Sequence, residues 1–126
     1  MPSEAQMKEA MQAYIDAFNA GDVAGVVALY ADDATVEAPV GSDLHRGRQA
    51  IETFYGYAVG TGARLSLDAP IRASRSNFAA MAFTVSVTYE GQPSQFRVID
   101  VMEFNEAGKF TSMRAFWGNS DIVQMQ

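Results

Sequence analysis

Residues Phe96-Arg-Val-Ile-Asp-Val-Met-Glu-Phe104 read as a β-strand with one discordant side chain. Strand alternation puts Phe96, Val98, Asp100, Met102 and Phe104 on one face. Four of those five are apolar, so the face is expected to be buried and to carry a carboxyl group in with it. Burial disfavours the charged form of an acid and raises its pKa. An acid held neutral becomes a hydrogen-bond donor, suited to stabilising an oxyanion. The same pattern also admits a structural Asp satisfied by its neighbours, or a bulge that turns it to solvent.

Period-two patterning extends to both sides of this segment. Strands are predicted over Arg64 to Asp68, Ile71 to Ser74, Phe78 to Tyr89, Gln95 to Asn105 and Phe110 to Trp117. Glu90-Gly91-Gln92 and Glu106-Ala107-Gly108-Lys109 stand where hairpin turns are needed. Met81, Phe83, Val85, Val87 and Tyr89 share one face of their strand, as Met113, Ala115 and Trp117 do on the last. Either set can line an apolar pocket or fill core.

The N-terminal third carries helical spacing instead. Ser3 with Gln6 has the capping-box form, and Met7, Met11, Tyr14 and Phe18 then make one stripe. Asp22 caps a second predicted helix with Val23, Val26, Val27 and Tyr30 on its apolar side. A short strand is expected from Ala34 to Ala38, ended by Pro39 and Gly41, and a third helix from Gln49 to Val59. Helices followed by antiparallel strands imply an α+β domain. Long strands must curve round the helices to bury one face, and such a sheet encloses a cavity. Tyr14, Tyr30 and Tyr55 each fall on an apolar helical stripe. Three phenols converging on one cavity would form a hydrogen-bond chain, whereas three separate phenols would simply fill core.

Composition narrows the chemistry. The chain has 126 residues, 48% of them hydrophobic, and suits one domain spanning 1–126. Its net charge of -6 argues against nucleic-acid or anionic-membrane partners. With no Cys, disulfides, thiolate catalysis and Cys-based zinc sites are excluded. His45 is the only histidine, placed in a polar loop, so no multi-histidine metal site exists. Asp32 and Asp33 read as turn or cap residues. No apolar run approaches the roughly 18 residues of a membrane span. The opening MPSEAQMKEA lacks a signal pattern, so a cytoplasmic location is expected.

Three stretches together, Tyr30-Ala-Asp-Asp-Ala-Thr-Val-Glu-Ala-Pro-Val-Gly41, Ile99-Asp100-Val-Met-Glu-Phe104 and Ser112-Met-Arg-Ala-Phe-Trp117, closely resemble the bacterial ketosteroid isomerases, or steroid Δ-isomerases. The likeness spans nearly the whole chain, including Tyr14 and the Phe54-Tyr55 pair, and is more specific than the general nuclear-transport-factor-2-like fold. It implies a conical α+β barrel, usually a homodimer, that binds 3-oxo-Δ5-steroids and uses no metal or organic cofactor. A carboxylate in this family moves a proton from carbon 4 to carbon 6 through a dienolate. The family is itself a standard example of a protonated Asp in an oxyanion hole.

By this resemblance Tyr14 and Asp100 match the oxyanion-hole donors, and Tyr30 and Tyr55 extend the network behind Tyr14. Met81, Phe83, Met113 and Trp117 fall on or near steroid-pocket positions. The departure lies at Ala38, where the family has its general-base Asp. Glu37 is the nearest carboxylate, but alternation sends it to the face opposite Val36 and Ala38. The resemblance therefore implies a steroid-isomerase scaffold whose proton transfer is strongly impaired. A non-catalytic steroid or phenol binder, another small-molecule enzyme of the same fold such as a polyketide cyclase or epoxide hydrolase, and a protein-interaction module are the competing readings.

Overall fold

In a computed structural model describing residues 1–125, three helices pack against a curved, unclosed sheet of eight strands. The sheet runs in the order β2-β1-β7-β6-β5-β3, with β4 on β5 and β8 on β6. All pairings are antiparallel except β1 with β7. Two free ends, β2 and β3, make this an open form of the expected conical barrel.

Helix α1 (Glu4–Asn19) begins at the anticipated capping box: the Ser3 hydroxyl accepts from the Gln6 amide at 3.1 Å, and the Gln6 side chain accepts from the Ser3 amide at 2.8 Å. Its buried stripe is Met7, Met11, Tyr14, Ile15 and Phe18. At the far end the Asn19 side chain clasps the backbone of Leu65, on β3 (Arg64–Leu67), donating to its carbonyl and accepting from its amide, each at 2.8 Å. That two-point tie sets where α1, and with it Tyr14, lies against the sheet.

Helix α2 (Val23–Val27) is capped by Asp22 as expected but stops early, and Tyr30 opens strand β1 (Tyr30–Glu37). Tyr30 is therefore not a helical residue, and the strand begins four residues before the expected Ala34. Pairing decides this: Tyr30 is in register with Phe110, whose amide donates to Leu29 at 2.9 Å. A short helix has little of its own to hold it against such a ladder.

Between Tyr30 and Thr35 the β1 chain advances while its partner moves only from Phe110 to Ser112, so a bulge expels the exposed Asp32 and Asp33. These two are strand-bulge residues rather than turn or cap residues. Asp32 pairs with Arg48, at the start of α3 (Arg48–Gly60), at 2.6 Å. His45 likewise lies in a two-residue strand, β2 (His45–Arg46), opposite Val36, and not in a loop.

The remaining strands are β4 (Arg72–Ala73), β5 (Phe78–Tyr89), β6 (Gln92–Phe104), β7 (Phe110–Phe116) and β8 (Ile122–Gln124). Strand β6 starts three residues before the expected Gln95 because Glu90 and Gly91, at φ 51° and 76°, complete a two-residue turn alone. Strand β8, which the sequence pattern does not announce, pairs with Ser94 to Phe96. Along β5 the inward side chains change gradually: Met81 and Phe83 are buried, Val85 and Val87 half-buried, Tyr89 exposed. The helices cover one end of the strand, and a cavity opens toward the other.

Candidate functional site

The cavity has a volume of about 380 Å³ and a largely apolar wall. Helix α1 contributes Tyr14 and Phe18, α3 contributes Phe54, Tyr55 and Ala58, and the inner faces of β5, β6 and β7 supply Phe83, Val98, Asp100, Met113 and Ala115. Trp117, just past β7, and Ala38, just past β1, also line it. Ala38 is held there because the Val40 amide donates to the Ala115 carbonyl at 2.8 Å, and Ala115 is the register partner of Asp100.

Asp100 is 1% exposed, and no protein group bonds to either carboxyl oxygen. Its cross-strand neighbours, Met81 and Ala115, offer it no side-chain hydrogen-bond donor. Burial alone pushes its pKa up to about 8. At neutral pH the group is thus a carboxylic acid facing an apolar cavity, with a proton to donate.

Tyr14 and Asp100 share the wall. Burial raises the Tyr14 pKa well above the usual phenol value, and the nearby Asp100 charge adds to this, so its proton also stays on. The Tyr14 and Tyr55 hydroxyls lie 2.9 Å apart, and those of Tyr55 and Tyr30 lie 2.6 Å apart. A phenol has one proton to give. The arrangement that leaves Tyr14 free to donate into the cavity runs one way: Tyr30 to Tyr55, Tyr55 to Tyr14. All three hydroxyls are kept protonated by burial.

The structure therefore gathers Tyr14, Tyr55, Ala38, Asp100, Phe83, Met113 and Trp117 around one space. Tyr30 sits behind Tyr55, outside the wall, and Met81 is a core residue opposite Asp100, also outside it. Phe18, Phe96 and Val98 belong to the wall although the sequence reading gave them only core roles. Periodicity marks an inward face; it carries no signal for which part of that face the helices leave uncovered.

Glu37 points elsewhere. Its carboxylate accepts from the Gly41 amide at 3.1 Å and from Arg114 Nε at 3.4 Å, and it is absent from the wall. His45 stacks on Phe54 with ring centroids 4.9 Å apart and is likewise outside the wall. Among the described residues, no three His, Cys, Asp or Glu side chains gather in a metal-binding group. No described helix is long and apolar enough to cross a membrane.

Residues 11–113 match the SnoaL-like domain family. A steroid Delta-isomerase from Nocardioides simplex is 46% identical over 121 residues, covering 94% of this chain and 95% of that protein. Epoxide hydrolase LasB from Streptomyces lasalocidi is 32% identical over 125 residues, 96% of this chain but only 44% of LasB. Among solved structures, SalBIII, an epoxide hydrolase/cyclase-like enzyme of pyran ring formation in the polyether salinomycin, matches with a TM-score of 0.90. It is 28% identical, with 96% of this chain and 97% of SalBIII covered. With the fold and these relatives in agreement, the chain belongs to the SnoaL-like family of nuclear-transport-factor-2-like enzymes and is a homologue of a steroid Delta-isomerase.

Proposed function

We propose that residues 1–126 form one steroid Δ-isomerase domain that binds 3-oxo-Δ5-steroids and stabilises a dienolate through Tyr14 and Asp100. Proton transfer from carbon 4 to carbon 6 is strongly impaired because Ala38 stands where the general base belongs. The observation that carries this reading is the pair of buried, unbonded Asp100 oxygens on the same apolar wall as Tyr14. The steroid's apolar body fits a wall of aromatic and aliphatic side chains, and its 3-ketone, where negative charge develops in the dienolate, is the group that needs the two donors. The reaction calls for no metal or organic cofactor. A homodimer and a cytoplasmic location belong to the same proposal.

Magnitudes separate binding from turnover. General-base catalysis is worth ~10²–10⁴-fold, and an oxyanion-hole donor about 3–4 kcal/mol. An intact hole without a base therefore binds its ligand and turns it over poorly. The test is Ala38→Asp, which is expected to raise isomerisation of 5-androstene-3,17-dione at least ~100-fold. An unchanged rate removes Ala38 from the base position.

The similarity to LasB and SalBIII favours a second reading, an epoxide-opening or cyclising enzyme. Opening an epoxide with water asks for a base as well as acids poised around that water, and among its phenols and alcohols this wall carries one carboxyl group, Asp100. Tight binding of equilenin with no isomerisation by either the parent or Ala38→Asp favours a non-catalytic ligand binder instead.

A further inference from the structure

The cavity pairs donors for an enolate oxygen with a wall that cannot take a proton from carbon. Tyr14 and Asp100 supply the donors. The other wall residues are apolar, phenolic or alcoholic: no carboxylate, imidazole or amine other than Asp100 lines the space. Asp100 is a poor acceptor while it keeps its own proton. Ala38 presents only a methyl group to the wall. Glu37, the carboxylate next in sequence, is bound to Gly41 and Arg114 outside the wall.

Such a site suits reactions that create an enolate without deprotonating carbon. We propose that the chain decarboxylates hydrophobic, ring-bearing β-keto acids, holding the ketone oxygen with Tyr14 and Asp100. This rests on the same donor pair as the isomerase reading but needs no base. The bond between the carboxylate carbon and the α-carbon breaks, and its electron pair forms the enolate. Carbon dioxide leaves as the negative charge moves from the carboxylate onto the ketone oxygen. The α-carbon then takes a proton from water, leaving hydroxide, and Tyr14 and Asp100 end as they began. The apolar wall helps because the substrate carboxylate loses its hydration on entering, while the enolate oxygen finds two fixed donors. The small Ala38 side chain leaves room in the wall and puts no negative charge near the departing carboxylate.

The test uses 1-oxotetralin-2-carboxylate at neutral pH, following release of carbon dioxide and 1-tetralone. The parent is expected to exceed the spontaneous rate at least ~100-fold, with Tyr14→Phe losing ~100-fold or more, the scale of one oxyanion donor. Ala38→Asp should reverse the preference, suppressing decarboxylation by repulsion while raising steroid isomerisation. Ala38→Asn, which has the size of Asp without its charge, should lose less decarboxylation than Ala38→Asp. Equilenin binding reports on the hole independently. If equilenin binds and Ala38→Asp isomerises, yet the parent leaves the keto acid at its spontaneous rate, the decarboxylase proposal is overturned and the isomerase reading stands. If equilenin also fails to bind, both are overturned.

Discussion

The Tyr30 and Tyr55 hydroxyls meet at 2.6 Å, and through that contact a strand residue outside the cavity joins a hydrogen-bond chain that reaches Tyr14 in its wall. If Tyr30 donates, Tyr55 is left to donate to Tyr14, and the Tyr14 proton is free to point into the cavity.

Tyr55→Phe therefore removes the donor behind Tyr14 as well as two hydrogen bonds, whereas Tyr30→Phe removes one bond and leaves the Tyr55–Tyr14 link. Each is expected to cost ~1–3 kcal/mol of stability. Affinity for a phenolic steroid should fall about 10-fold for Tyr55→Phe and less for Tyr30→Phe. Calorimetric titration of both variants checks the order; equal losses would refute a one-way chain.

Asp100 makes stability depend on pH. Its pKa rises from 3.8 to about 8 on folding, so between those values the folded chain holds a proton that the unfolded chain has released. Stability then falls with rising pH across that window, by ~1.4 kcal/mol per unit, and flattens above it. Asp100→Asn removes the slope. Its stability relative to the parent should grow from about pH 5 to about pH 8 in urea unfolding. A constant difference would mean the carboxyl group is not held neutral.

Glu37→Gln tests the nearest alternative base. Because Glu37 already accepts from Gly41 and Arg114, residual steroid isomerisation should be unchanged and stability should move by no more than ~1 kcal/mol. A loss of about 10-fold or more in that residual rate would identify Glu37 as the proton acceptor.

On the outer face of the sheet, Ile99 and Phe116 stand opposite each other across β6 and β7, 49% and 43% exposed. An exposed apolar pair at the middle of a sheet is a natural seat for a second copy. Ile99→Glu is expected to turn a sedimenting dimer into a monomer with the cavity's equilenin affinity retained. A parent that already sediments as a monomer would end the dimer proposal.

Most of the sheet was legible because burial of one face imposes alternation, and β5 runs over the residues its pattern announces, Phe78 to Tyr89. Asp100 was legible for the same reason, as the exception inside a buried face. Tyr30 was not, since its place in β1 depends on Phe110, eighty residues on, and local spacing cannot report that. Nor could spacing separate Met81 in the core from Phe83 in the wall, since both lie on one face of one strand. The Ala38 methyl in the wall has its sequence signal only in the resemblance, because alanine offends no pattern.

The continuous inward row from Met81 to Tyr89 has a consequence for how ligand preference can change. Replacing Met81 or Phe83 disturbs close-packed interior and costs about 2–5 kcal/mol when the side chain is truncated. Val87 and Tyr89 lie near the hairpin tip and carry far less of that packing. Selection can therefore reshape the outer reach of the cavity at little risk to folding, while its inner end is protected by the interior it shares.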